Sequence, residues 1–295
     1  MPDSPYPPKS TSVRFAAVRG ILAGLTRVSP ATAASLATVL FRTPPGRRRS
    51  DLNSSLFDSG RRVDLTLDGR RLAVWRWGEG PPVLLAHGWG SRGARLGDFV
   101  EPVTRAGFSV LAFDAPGHGA SGGRLSSLPQ FIAAIRAIGE RFGPLHAVVA
   151  HSMGGAATTL AMARGLAVKR AVFLAPSSDP ASYSERFASV LGLSADVISR
   201  MKRGLERRFG FLWKDFDVLA AAKTLSAPLL VIHDREDFDV PWSDGESIVA
   251  AWPGARLVTT NGLGHRRIVH DPAVVERAVA FVAEAETATR LSGRA

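Results

Sequence analysis

Cysteine is absent from this sequence of 295 residues. Disulfide bonds, thiolate nucleophiles, cysteine-bound zinc and iron–sulfur clusters are therefore excluded, and a catalytic nucleophile must be an oxygen or a nitrogen atom. Residues 142–163 carry no charged side chain and are numerous enough to cross a bilayer, but Pro144, Gly154 and Gly155 interrupt them. The sequence thus predicts no transmembrane helix.

Acidic residues are scarce in the first 50 positions, where Asp3 stands against eight lysines and arginines. This segment carries +7 of the net charge of +11, so the basicity is mainly an N-terminal property. It suits attraction to an anionic surface, and no nucleic-acid-binding motif accompanies it. The start, MPDSPYPPKS, lacks the order of a secretory signal. We expect a cytoplasmic protein without a nucleic-acid partner.

Residues 1–50 are predicted to form a basic, amphipathic helical leader that ends in a linker. The first helix, 13–28, places Arg19 and Arg27 away from an apolar face made of Phe15, Val18, Ile21, Leu22, Leu25 and Val28. Ser29 and Pro30 have the pattern of an N-cap and a first helical residue, and the breaker-rich segment 43–50 is the linker. The leader either packs on the domain or makes a peripheral membrane contact through residues 13–42.

Strand and helix patterns alternate from residue 62 onwards. A hairpin is predicted over 63–67 and 71–75, followed by apolar strands at 82–86, 108–113, 147–150, 171–174, 229–233 and 256–259. Helices are predicted near 94–106, 128–142, 153–166, 243–252 and 273–285. Because continuous apolar strands are typical of a parallel sheet that is covered on both faces, residues 51–295 are predicted to be one α/β domain with a doubly wound, mostly parallel sheet.

Ser152 lies between an apolar strand and a helix, in Ala150-His151-Ser152-Met153-Gly154. A nucleophile at such an elbow needs small residues two positions before and after it, which Ala150 and Gly154 supply. The elbow aims the hydroxyl at the N-terminus of the helix, where backbone N–H groups can stabilise negative charge. Ser152 is therefore the candidate nucleophile.

Five strings in order, HGWG at 87–90, DAPGHGAS at 114–121, HSMGG at 151–155, HDREDFDVP at 233–241 and GLGH at 262–265, resemble the signature of the α/β-hydrolase superfamily. The resemblance spans roughly residues 62–285. The elbow departs from Gly-x-Ser-x-Gly by one methyl group, at Ala150.

The resemblance implies a histidine base and an acid that orients it. It assigns the base to His265, with His270 as the alternative, and the acid to Asp237, with Asp239 as the alternative. It also implies an oxyanion hole formed by the backbone N–H groups of Trp89 and Met153.

Two other kinds of site, a dinucleotide site and a metal site, fit the sequence poorly. Residues 117–122 match G-x-G-x-x-G, but the strand before them is not the first of the chain and no helix begins within the motif. No dinucleotide cofactor is therefore expected. His265 and His270, five positions apart, do not share a helical face, and no further ligands accompany them, so no metal is expected.

A small helical cap is predicted over about 179–226, after the sixth strand, with breaks near Gly192 and Gly210. Its large apolar residues are Phe187, Leu191, Met201, Leu205, Phe209, Phe211, Trp213 and Phe216. They either line a pocket above Ser152 or bury the cap on the domain, and we expect this core packing for most of them.

The sequence predicts a cofactor-independent serine hydrolase that cleaves a small-molecule carboxylic ester or thioester through an acyl-enzyme. An acyltransferase, an amidase or a carbon–carbon hydrolase would use the same groups. A non-catalytic interaction protein on the same fold is the alternative of another class.

Overall fold

The computed structural model describes residues 13–45 and 54–284. The α-helices of these residues are α1 (Val13–Val28), α2 (Pro30–Arg42), α3 (Ser54–Ser59), α4 (Val100–Arg105), α5 (Leu128–Phe142), α6 (Met153–Ala163), α7 (Ser182–Leu191), α8 (Ala195–Phe209), α9 (Val218–Ala222), α10 (Trp242–Ala251), α11 (Gly264–Arg267) and α12 (Pro272–Ala283). Short 3-10 helices cover Gly93–Phe99 and Trp213–Phe216. Most of the predicted linker, including its three arginines, lies outside the described residues.

The strands are β1 (Arg61–Arg62), β2 (Leu65–Leu67), β3 (Arg70–Leu72), β4 (Val74–Trp77), β5 (Pro82–Ala86), β6 (Ser109–Phe113), β7 (Leu145–His151), β8 (Val168–Leu174), β9 (Leu229–Asp234) and β10 (Arg256–Thr260). Within the described residues, eight of them form one sheet in the order β1-β4-β6-β5-β7-β8-β9-β10. Pairing is antiparallel from β1 to β6 and parallel from β6 to β10.

Helices cover both faces of this sheet. Alternate residues of β5 show it: Leu84 packs in the core shared with α5 and α6, whereas Val83 and Leu85 pack in the core shared with α4 and α12. Both cores are almost free of solvent exposure, as a sheet buried on two faces requires. The predicted doubly wound, mostly parallel α/β architecture is confirmed.

The predicted hairpin is wrong in its second strand. Ala73 interrupts 71–75, because its N–H donates to Oγ of Ser121 at 2.8 Å and its carbonyl accepts from the N–H of Asp114 at 3.0 Å. As a result β3 pairs with β2 in a separate two-stranded sheet, and β4 joins the main sheet between β1 and β6.

The cap inserted after β8 contains α7 and α8. The breaks predicted near Gly192 and Gly210 are confirmed, since both glycines end a helix in the left-handed conformation, at φ of 66° and 69°. Farther along, Phe216, Val218 and Ala222 pack in the core of the main domain beside α6 and α10.

The two N-terminal helices form as predicted, with Ser29 as the N-cap of α2. The predicted apolar face of α1 is wrong in part. Leu22 is buried, but Ile21 is 55% exposed and Val28 is 86% exposed, because α1 meets α2 and α7 along a narrower strip. Arg19, predicted to lie away from this face, instead reaches the cavity described below.

Helix α2 packs directly on the cap. Its small buried side chains face α8 in a core made of Ala33, Ala34, Ala37, Val197, Met201 and Leu205. Alanines allow two helix backbones to approach closely, so this contact seats α2 against the cap. Across residues 13–45 and 54–284, none of the helices has the length and apolar character needed to cross a bilayer.

Candidate active site

Ser152 occupies the sharp turn between β7 and α6. Its backbone is left-handed, with φ of 54° and ψ of −124°, a conformation that costs a residue other than glycine roughly 1–3 kcal/mol. A Cβ on Gly154 would lie 2.4 Å from the carbonyl oxygen of Ala86, so the glycine is required where α6 passes the neighbouring strand. Ala150, by contrast, is fully buried and its methyl group is accommodated.

His265, at the start of α11, is hydrogen-bonded to Asp237. Its Nδ1 lies 2.7 Å from Oδ2 of Asp237. The other carboxylate oxygen, Oδ1, accepts from the backbone N–H groups of Asp239 and Val240, each at 2.8 Å. Nε2 of His233 lies 3.3 Å from Oδ2. The Asp237 carboxylate is thus held by donors from four residues.

These contacts determine the charge of Asp237. Burial would raise the pKa of this carboxyl, but hydrogen bonds from His233 and His265, the charge of His265 and the N–H of Val240 outweigh it. The pKa of Asp237 therefore lies well below its usual range. An ionised carboxylate in this position orients the His265 ring and stabilises it when it gains a proton.

The two alternative residues lie elsewhere. The side chain of Asp239 faces Arg266, at 3.4 Å, and Nδ1 of His270 is bonded to Oδ2 of Asp98. Asp271 caps α12 by accepting from the N–H of Val274 at 3.0 Å.

His151 connects the elbow to His265. Burial holds the pKa of His151 well below its usual value, so the ring is neutral. Its Nε2 lies 2.9 Å from the carbonyl oxygen of His265, and the two rings are 4.6 Å apart between centroids. The residue that precedes Ser152 is therefore in direct contact with the candidate base.

The candidate oxyanion donors lie beside Ser152. Met153 is the first residue of α6, so its N–H has no partner within the helix. Trp89 belongs to the loop after β5, and a Cβ on Gly88 would lie only 2.9 Å from Cβ of Ser152. Glycine at position 88 lets this loop approach the nucleophile. Trp89, Ser152 and Met153 line one cavity of about 700 Å³.

The cap supplies much of the cavity wall. Six of its eight large apolar residues line the cavity, namely Phe187, Leu205, Phe209, Phe211, Trp213 and Phe216. The expected core packing is confirmed, since seven of the eight belong to a hydrophobic core or pack against one, but core packing does not exclude them from the cavity wall. Phe187, Phe209, Phe211 and Trp213 thus pack against the α2–α8 core and also line the cavity that contains Ser152.

The N-terminal helices also contribute to this wall, through Arg19 and residues 40–43. Pro45 reaches the loop after β5, because a Cβ on Gly90 would lie 2.6 Å from Cγ of Pro45. The predicted leader thus borders the candidate active site.

The G-x-G-x-x-G segment forms a turn around a buried carboxylate. Asp114 accepts from the N–H groups of Gly93 and Ala120, at 2.8 and 2.7 Å. A Cβ on Gly119 would lie 1.9 Å from Oδ2 of Asp114. The close approach of this loop to Asp114 accounts for the glycine.

The sequence indicates no role for His233 or Arg42. His233 stands four positions before Asp237 in HDREDFDVP, a spacing that could have indicated a contact. Arg42 is one of eight basic residues in the first 50 positions, and no local pattern distinguishes it from the others.

Comparisons with known proteins identify relatives of this chain. A sequence model of the family described as serine aminopeptidase, S33, matches residues 81–223. The chain is 30% identical over 246 residues to a pimeloyl-(acyl-carrier protein) methyl ester esterase of Xanthomonas campestris pv. campestris, a match that covers 70% of this chain and 96% of that protein.

Two further similarities are more limited. A protein of Pseudomonas savastanoi pv. phaseolicola named carbamate hydrolase RutD is 35% identical over 72 residues, which cover 24% of this chain and only 28% of that relative. The solved structure of an esterase from Pyrococcus furiosus has a TM-score of 0.59 at 18% identity, covering 82% of this chain and 96% of that one. At that identity the likeness shows the fold.

Proposed function

The chain belongs to the α/β-hydrolase family, and we propose that it is a serine hydrolase that cleaves a carboxylic ester or thioester through an acyl-enzyme. The observation that carries the proposal is the Asp237–His265 pair, which contacts the elbow of Ser152 through His151. The Xanthomonas relative is named as an ester hydrolase, and the match covers 96% of that protein, which supports ester chemistry.

In the proposed reaction, Oγ of Ser152 attacks the acyl carbon and its proton passes to Nε2 of His265. Nδ1 of the same ring remains hydrogen-bonded to Asp237, which balances the new positive charge. The tetrahedral oxyanion accepts hydrogen bonds from the N–H groups of Met153 and Trp89.

Collapse of this intermediate expels the alcohol or thiol, which takes the proton from His265. Water then attacks the acyl-enzyme, with His265 as the base, and releases the carboxylic acid and free Ser152. No cofactor is needed for either step.

A fluorophosphonate probe tests the nucleophile, because it phosphonylates a serine only where a base and an oxyanion hole activate it. We expect one labelled site, Ser152, in the native protein and no labelling of Ser152→Ala. Absence of labelling in the native protein would favour the non-catalytic alternative.

A substrate panel tests the reaction type. We expect turnover of 4-nitrophenyl esters and thioesters of several chain lengths, and little turnover of the matched 4-nitroanilides. Faster cleavage of the anilides would favour an amidase, and transfer to an added alcohol in preference to water would favour an acyltransferase.

A further inference from the structure

Arg42, the last residue of α2, is a buried cation in the wall of the Ser152 cavity. Only 5% of its surface is exposed. Its Nη2 donates to Oε1 of Gln130 at 3.3 Å, and its guanidinium carbon lies 5.0 Å from the centre of the Phe209 ring. In the part of the chain that the structure describes, Nε of Arg42 has no hydrogen-bond partner.

The charges that act on Arg42 are themselves positive. Burial lowers the pKa of Arg42, and the nearby cations Arg208 and Arg70 lower it further. Among residues 13–45 and 54–284, no carboxylate forms an ion pair with Arg42. Since a buried charge is costly unless it is paired, this site suits an anionic ligand.

Two more residues that line the same cavity each carry a buried donor. Oγ of Ser126 and Nε1 of Trp213 have no hydrogen-bond partner among the described residues. Ser126 adjoins Arg42, because its backbone N–H donates to the carbonyl oxygen of Arg42 at 2.8 Å. Buried polar atoms in proteins are normally hydrogen-bonded, so several unpartnered donors in one cavity indicate a ligand that accepts hydrogen bonds.

Three of the four charged side chains of the cavity wall are arginines. Arg19 and Arg186 line it together with Arg42, and the acidic residue that lines it, Asp239, faces Arg266 at 3.4 Å. The cavity is therefore positive on the side formed by α1, α2 and the cap, which attracts anions.

We propose that Arg42, assisted by Ser126, binds an anionic oxygen group of the substrate, a carboxylate or a phosphate. The proposal rests on the proposed ester hydrolysis and names its substrate class, namely esters or thioesters whose acyl chain carries a negative charge remote from the scissile bond. The acyl chain is the part of the substrate that stays in the cavity through both steps, so the charge is assigned to it. A guanidinium binds such groups through charge-assisted, paired hydrogen bonds.

The test compares the native enzyme on esters of equal length. The neutral substrate is 4-nitrophenyl hexanoate, and the anionic ones are mono-4-nitrophenyl adipate and 4-nitrophenyl 6-(phosphonooxy)hexanoate. Succinate and suberate half-esters vary the distance to the anionic group. At the best length we expect kcat/KM for an anionic ester to exceed that for its neutral analogue by about 10- to 100-fold.

Arg42→Gln should reduce this anionic-to-neutral preference by at least about tenfold. Arg208→Gln is the matched control, because Arg208 stacks on the same Phe209 ring, at 5.9 Å, but is exposed and does not line the cavity. It should keep the preference. Ser126→Ala should weaken the preference less than Arg42→Gln does.

Each outcome decides the proposal. Preference for the carboxylate or for the phosphate supports it and identifies the group. Fluorophosphonate labelling of Ser152 combined with a preference for neutral esters at every length, or with equal preferences in Arg42→Gln and Arg208→Gln, overturns it and leaves ester hydrolysis standing. Neither labelling nor hydrolysis of any ester overturns the proposed function itself.

Discussion

Nδ1 of His265 lies 2.7 Å from Oδ2 of Asp237, and the carboxylate that makes this contact has no solvent-exposed side-chain surface. Oδ2 of Asp239, two residues later, lies 3.4 Å from Nε of Arg266. The carboxylate that the loop after β9 places against His265 is therefore that of Asp237.

This relationship predicts different effects for two matched substitutions. Asp237→Asn should lower kcat on a 4-nitrophenyl ester by about 10³- to 10⁴-fold, because the amide no longer holds the required tautomer of His265. Asp239→Asn should change kcat by less than about tenfold. Steady-state kinetics of both variants test this prediction. A larger loss of kcat in Asp239→Asn than in Asp237→Asn would identify Asp239 as the acid.

Ser152→Ala should abolish ester hydrolysis, by about 10⁵-fold or more, while the free energy of unfolding changes by less than about 1 kcal/mol. The hydroxyl lies at the elbow beside the cavity, where it contributes chemistry and little packing. Activity and urea unfolding of the same preparation test both parts. Native-like turnover would disprove the proposed nucleophile.

The stability of the protein should depend on pH through His87. This ring is fully buried; its Nδ1 lies 2.7 Å from the carbonyl oxygen of Gly88, and its Nε2 accepts from the N–H of Ala115 at 2.9 Å. Burial lowers the pKa of His87 to about 4 although the Gly88 contact opposes the shift. The folded state therefore keeps the ring neutral below pH 6.5, where the unfolded state binds a proton, and stability falls as the pH decreases from about 6.5 to about 4.

His87→Gln removes this titration and keeps a polar side chain. The stability advantage of the native protein over the variant should therefore shrink by about 2 kcal/mol between pH 7.5 and pH 5. Urea unfolding at the two pH values measures it. An advantage independent of pH would show that His87 already titrates normally in the folded protein.

The packing of α2 on α8 predicts that Ala37→Glu destabilises the protein by at least about 2 kcal/mol, since Ala37 is fully buried between the two helices. Ser35→Glu is the control, because Ser35 is exposed on the same helix. Thermal unfolding compares them. Equal midpoints would mean that α2 is not seated on the cap in solution.

A peripheral membrane contact through residues 13–42 is a separate proposal. The exposed side chains of Ile21 and Val28 would enter the headgroup region, and basic residues would attract anionic lipid. We expect association with anionic vesicles that weakens as salt shortens the Debye length below about 10 Å. The double variant Ile21→Ser, Val28→Ser should bind less; no association at low salt would rule the contact out.

The sequence predicts what depends on neighbours along the chain. Ser152 is recognisable because the elbow and its flanking small residues lie within five positions, and the helix breaks at Gly192 and Gly210 depend on single residues. Arg42 is different, since its burial depends on α2 meeting α8, more than 150 positions later. The interruption at Ala73 likewise depends on Ser121, a residue from a distant loop.

Residues 13–45 precede the segment matched by the family model, 81–223, yet they form one side of the cavity around Ser152. One side of the cavity is therefore encoded outside the segment that the family model matches, whereas the cap, inside that segment, supplies another side. Exchanging the N-terminal helix pair would change which molecules fit the cavity, while Ser152, Asp237 and His265 keep their positions on the α/β domain. In a hydrolase built this way, substitutions confined to residues 13–45 can change substrate preference.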